Sequence, residues 1–173
     1  MALLNAFNFG LNINQPLPAG LVISPKIDHA QLCLTGMNIS VIISTATVFQ
    51  KPPNNEPLSS VLAMAHLDTG ASVTSIDITL AKHIKLIPTG QSMSGTAAGP
   101  QSMPTFVIDL GFRNTLSPFT NLQIGSCKLG FDLQECLSNP NDPKNFGILI
   151  GRDVMSRWNI VWNGPTSTVF ISD

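Results

Sequence analysis

The sequence predicts a mainly β domain carrying two short helices. Three observations lead there. Short apolar, β-branched runs recur along the chain, at residues 21–24, 29–34, 39–49, 60–67, 106–110, 119–129, 146–151, 159–162 and 168–172, and runs of this kind form half-buried strands. Clusters of Pro, Gly, Asn and Asp separate them, above all at 51–57 and 138–145, where regular structure breaks into turns. Helical spacing is confined to two places, 77–84 and 153–158.

Taken in order, residues 1 to about 20 mix apolar positions with Asn5, Asn8, Asn12, Asn14, Pro16 and Pro18, and read as an irregular arm. The strands at 21–24, 29–34 and 39–49 follow, the last rich in Ile, Val and Thr. Lys51-Pro52-Pro53-Asn54-Asn55-Glu56-Pro57 forms an exposed hairpin loop, and the strand from Ser60 to Leu67 delivers Asp68. Asp77 caps the first helix, with Ile78, Ala81 and Ile84 on one face. Pro88 and Gly90 end that unit. Residues 91–104, with Gly95-Thr96-Ala97-Ala98-Gly99 at the centre, read as a long hairpin with a flexible tip. A strand lies within 119–129, a polar loop at 138–145, and a buried strand at 146–151 ending in Gly151. One or two helical turns over 153–158 precede two closing strands joined at Asn163-Gly164-Pro165.

Composition narrows the function. The 173 residues suffice for one well-cored domain. Hydrophobic residues are 43% and charged residues 11%, which excludes a disordered chain and leaves some apolar surface to be covered by a partner chain. A net charge of -1 without a basic run argues against nucleic acid as a partner. No run of about 18 apolar residues predicts a membrane span, and the N-terminus lacks the basic stretch of a signal peptide. Cys33, Cys127 and Cys136 are odd in number and lack metal-ligand spacing, as expected of reduced, mostly buried thiols in a cytoplasmic protein. His29 and His83 likewise have no ligand partners at metal spacing and read as surface residues.

Chemistry concentrates at His66-Leu67-Asp68-Thr69-Gly70-Ala71-Ser72. A carboxylate at the end of an apolar strand is costly unless hydrogen bonds or a partner support it. On its own, Asp-Thr-Gly commonly just makes a turn. Its context here is the Gly95–Gly99 hairpin and then Ile148-Leu149-Ile150-Gly151-Arg152-Asp153, in that order. This set resembles the retropepsins, the aspartic proteases of retroviral type, together with their single-domain cellular and bacterial relatives. The resemblance spans roughly residues 39–173, leaving 1–38 as an N-terminal arm or extra hairpin.

The resemblance implies a closed, barrel-like subunit with a flap hairpin, and an endopeptidase that needs no cofactor or metal. In that family two Asp carboxylates about 3 Å apart share a proton; one activates water as general base while the other protonates the scissile carbonyl. This chain holds one Asp-Thr-Gly, and Asp77, Asp109, Asp132, Asp142 and Asp153 lack that context. The second carboxylate is therefore expected from Asp68 of another copy, in a homodimer with the site on its axis. By the same resemblance Thr69 braces the two turns and the Gly70 carbonyl meets substrate. Ala71 and Ser72 lie against the substrate, residues 95–99 form the flap, and Leu149 lines a subsite. Ala71 lacks the hydroxyl of pepsin-like enzymes, which implies a working pH less acidic than pepsin's. Ser72 stands where retroviral enzymes carry the Asp that pairs with the Arg152 position, so Arg152 must find another partner. His66 shares a strand face with Asp68 and reads either as a hydrogen-bonded histidine at the base of the site or as a substrate-pocket residue. Trp158 and Trp162 read as core or dimer contacts, and the last strand as part of a sheet at the dimer interface. A catalytically silent peptide-binding or dimerisation module, and a structural β domain in which Asp68 caps a turn, are the alternatives.

Overall fold

A computed structural model of the chain describes residues 5–8, 36–46, 59–96, 99–113, 116–163 and 168–173. The strands expected at 21–24 and 29–34, the loop at 51–57, the tip residues Ala97 and Ala98, and Cys33 lie outside the described residues. Within them, β1 is Asn5–Asn8, β2 Asn38–Thr45, β3 Ser60–Leu67, β4 Ser75–Asp77, β5 Gly90–Thr96, β6 Gly99–Phe112, β7 Phe119–Cys127, β8 Phe146–Ile150, β9 Asn159–Asn163 and β10 Thr168–Ser172. The helices are α1 (Ile78–His83), α2 (Leu133–Ser138) and α3 (Arg152–Met155).

Seven strands form one sheet in the order β2-β3-β8-β4-β7-β6-β5, and β2 also pairs with β6. That extra pairing, from Val41 opposite Phe112 to Thr45 opposite Ile108, closes six strands into a mixed barrel. The long β6 does two jobs. Its second half lies in the barrel wall between β2 and β7, while its first half pairs with β5 from Gly90 opposite Thr105 to Thr96 opposite Gly99. A hairpin thus extends beyond the barrel, as the sequence indicates. Gly99, at φ +99, takes a backbone conformation at its tip that side chains resist.

The barrel interior is apolar. Ile39, Val41 and Ile43 from β2, Ile76, Ile108, Ile124, Ile148 and Ile150 are almost wholly shielded, each such burial stabilising by roughly 1.5–3 kcal/mol. Gly147 is side-chain-free for a reason: a Cβ there would lie 2.5 Å from Leu80 and 3.0 Å from Phe131. The first helix forms as its sequence indicates. Asp77 accepts from Thr79 N at 2.7 Å as N-cap and from Leu129 N at 2.8 Å, tying the helix to the chain beyond β7.

The sequence reading misses α2. Asp132 caps it, accepting from the backbone N–H of Gln134 and Glu135. Only Cys136 of its six residues is buried, too little periodicity to register as a helical face. The stretch Asn5–Asn8, read as irregular, is a strand paired with β10, Asn5 opposite Ile171 and Asn8 opposite Thr168. β9, β10 and β1 make a separate three-stranded sheet with β10 in the middle. The closing strand is thus flanked on both sides within its own chain, not left as an edge. Trp158 is core, packed edge-on against Phe112 and Phe119; the Trp162 side chain lies outside the described residues. No helix among the described residues is long and apolar enough to cross a membrane.

Candidate active site

The site begins where β3 and β8 run side by side. These parallel strands pair Leu67 with Ile150, and the ladder continues one step further, with Asp68 N donating to Ile150 O at 3.0 Å. Beyond that point the chain turns. Gly70 N donates to Asp68 Oδ1 at 2.7 Å, and Ala71 N donates to Asp68 O at 3.2 Å. The carboxylate is aimed by its own turn. Thr69, Gly70, Ser72 and Val73 are exposed, while Asp68 and Ala71 are half-buried.

The turn is locked from below by the chain after β8. Arg152 N donates to Ala71 O at 3.0 Å. Gly151 N donates to Thr74 Oγ1 at 3.0 Å. The Asp153 carboxylate then accepts from Thr74 N at 3.0 Å and from Thr74 Oγ1 at 2.8 Å. Thr74 is fully buried, so these bonds satisfy polar groups that water cannot reach. Gly151 is where the two segments cross: a Cβ there would sit 2.6 Å from the Val73 carbonyl carbon and 2.8 Å from Thr74 N. Arg152 has the partner that Ser72 could not supply, because Nη1 donates to Thr69 O at 2.9 Å. The guanidinium thereby holds the backbone of the Asp-Thr-Gly turn.

Two residues back on β3, His66 shares Asp68's strand face. Its ring stacks on Phe146 at 4.9 Å between centroids, and Nδ1 lies 3.0 Å from Asn38 Oδ1. Burial holds the imidazole below its ordinary pKa, with the Asp68 charge opposing that shift. Leu149 pairs with His66 in register and is half-buried on the same side. The β5–β6 hairpin approaches over Gly125: a Cβ on Gly125 would lie 3.0 Å from Ser75 Oγ and 4.0 Å from Ser92 Oγ.

This arrangement presents one hydrogen-bonded, half-buried carboxylate on a turn braced by the chain after β8, in a barrel from which a hairpin projects. The chain resembles retropepsin-like aspartic protease domains. Solved structures similar to it include a retropepsin-like aspartic protease from Rickettsia conorii, at 12% identity and a TM-score of 0.41, covering 79% of this chain and 92% of that one. Another is the retroviral protease-like domain of Ddi1 from Leishmania major, at 12% identity and a TM-score of 0.38, covering 72% and 81%. No protein-family model and no curated protein sequence matches the chain.

Of the residues singled out from sequence, Asp68, Thr69, Gly70, Ala71 and Ser72 lie in the turn and Leu149 on the adjoining strand. Gly95, Thr96 and Gly99 lie at the far end of the hairpin. Sequence reasoning missed Thr74 and set Asp153 aside as an acid without catalytic context. Their partnership spans 79 positions, and no local pattern announces it.

Proposed function

We propose that the chain is an aspartic endopeptidase that cuts extended peptides, with the acid pair assembled from Asp68 of two copies. The observation that carries this reading is the Asp68 turn itself. Its carboxylate stands at the open end of the β3–β8 pair, and its exposed Thr69–Val73 flank is free to meet a second copy. A single chain offers one such carboxylate, so symmetry must supply the other.

In the dimer, two carboxylates at close range hold one proton between them, because both cannot remain ionised. The ionised member takes a proton from water as it attacks the peptide carbonyl. The protonated member donates to the carbonyl oxygen, and the pair titrates as a unit. The Gly70 N–H bond to Oδ1 orients the carboxylate in advance of substrate, and the Arg152–Thr69 bond keeps the turn from relaxing. The β5–β6 hairpin is the flap. Its backbone adds hydrogen bonds to an extended peptide and excludes water, with Gly95, Thr96 and Gly99 at its far end. Ala71, Ser72 and Leu149 line the cleft.

The test is Asp68→Asn. The variant folds and self-associates like the parent in sedimentation equilibrium and cuts nothing in a diverse peptide pool, whereas the parent cuts and is blocked by a transition-state-mimicking inhibitor of aspartic proteases. Undiminished cleavage by the variant, or a parent that is strictly monomeric yet active, overturns the reading. A parent that binds peptide without cutting, equally well with Asn at position 68, marks a silent binding module instead.

A further inference from the structure

We propose that His66 determines specificity at the subsite nearest Asp68, selecting substrate side chains that bring a hydrogen-bond donor, such as Gln, Asn, Ser or Thr. The proposal rests on the peptidase reading above and names the substrate feature that reading leaves open. It begins from register. Asn38 pairs with His66, His66 with Leu149, Leu149 with Ser75, and Ser75 with Gly125. Directly paired residues share a face, so these five make a continuous row across five strands. The rows on either side face the opposite way: Leu67 pairs with Ile150, and Ala65 with Ile148 and Ile76, and all five are buried in the barrel. The first row therefore lies on the side where the Asp68 carboxylate emerges, one side-chain repeat behind it. The row meets the hairpin at Gly125, beside Ser92.

A peptide lying against Asp68 rests a flanking side chain on this row. Its floor is not uniformly apolar: Leu149 sits between His66 and Ser75, with Asn38 behind. The sequence alone points to apolar subsite walls and hydrophobic preference; the register puts polar groups among them. His66 is also held in one orientation. Phe146 covers one ring face, Nδ1 is bonded to Asn38 Oδ1, and Gly36, at φ +67, closes on Cε1 so tightly that a Cβ there would collide. The Asn38 oxygen accepts, so the neutral ring carries its proton on Nδ1 and presents a lone pair at Nε2. Among the described residues Nε2 has no hydrogen-bond partner and is not sealed from solvent. A fixed acceptor at the wall of a cleft is satisfied by a donor-bearing side chain and stranded by an apolar one of the same size. Burial keeps the ring neutral, and Asp68 is the charged group acting on it among the described residues. Protonation at lower pH reverses the preference, because Nε2–H then donates and favours Glu over Gln.

The experiment compares matched peptides carrying Gln, Leu or Glu at each position flanking the cut. The proteins are the parent, His66→Leu and His66→Gln, and kcat/KM is read from pH 4 to 8. At one flanking position the parent prefers Gln over Leu by about tenfold, the scale of one unpaired polar group. His66→Leu inverts that preference and leaves the other positions unchanged. Above about pH 5.5, where the peptide's Glu stays ionised, the Glu-to-Gln ratio rises with acidification in the parent and stays flat in both variants. A Gln-to-Leu ratio that stays within twofold of the parent's in both variants, while they still cut, overturns this proposal and leaves the peptidase reading standing. If the parent cuts no peptide, that reading falls. The same peptides, scored by fluorescence anisotropy for binding to the parent and His66→Leu, then decide the subsite separately: an unchanged Gln preference refutes it.

Discussion

Replacing Asp153 with Ala strikes the bond set that braces the Asp68 turn, and its cost follows from the contacts. The Asp153 carboxylate accepts from both donors of Thr74, the backbone N–H and the hydroxyl, and Thr74 is fully buried. Without it two donors are left unsatisfied away from water. Each costs about 1–3 kcal/mol, so the variant loses roughly 2–6 kcal/mol from a domain whose whole stability is on the order of 5–15 kcal/mol. At this chain length that corresponds to a fall in Tm of roughly 4–24 °C. Asp153→Asn keeps one acceptor oxygen and should lose about half as much. The assay is equilibrium urea unfolding of the parent, both Asp153 variants, Thr74→Val and the double variant Asp153→Ala/Thr74→Val. A coupling energy of about 1 kcal/mol or more between the two sites is expected for residues that share a bond. Asp109→Ala is the control: its carboxylate accepts from the exposed Asn121 N, so its loss should cost under about 1 kcal/mol. The argument is refuted if Asp153→Ala lies within about 0.5 kcal/mol of the parent or if the two sites are additive.

Three further outcomes follow from other contacts. Arg152→Met removes the bond to the Thr69 carbonyl at an exposed position; it should change stability by less than about 1 kcal/mol yet lower kcat severalfold, and a variant with unaltered kcat contradicts the bracing role. Cys127 is pushed up to about 11 by burial and then by the Asp77 charge, and Cys136 is raised by burial. Both should resist iodoacetamide at pH 8 in the folded protein and react on unfolding, as mapped by mass spectrometry; fast labelling of the native protein at Cys127 would count against this. His66 is held below its ordinary value of 6.5, so between that value and the folded one the unfolded chain binds more protons. Its contribution is fully present above about pH 6.5 and is lost as pH falls through that window. Urea midpoints measured across pH 4–8 should therefore show a slope that flattens in His66→Gln.

Local chemistry was the legible part of this chain. The strand Ser60–Leu67, the Asp77-capped helix and the hairpin around Gly95 and Gly99 each declare themselves through alternation, a capping acid or turn residues, all within a few positions. The Asp68 turn could be found because Asp-Thr-Gly is contiguous. Interactions between distant segments were not legible. That Arg152 reaches Thr69, that Asp153 holds Thr74, or that Asn5–Asn8 joins the closing strand depends on pairings across the fold. For α2 the obstacle was different: one buried cysteine in six residues leaves no apolar stripe to read.

The pairing of β3 with β8 also has a consequence for the order in which the protein comes into being. Asp68 leans on Ile150 and Gly151 on Thr74, so the turn is unsupported until a stretch about 80 residues further on has been made. At synthesis rates of about 5–20 residues per second, the acid waits on the order of 4–16 s for its brace. Contacts of such long sequence separation are also slow to close. A nascent chain therefore carries the Asp68 turn without its brace until the segment Ile150–Asp153 has left the ribosome.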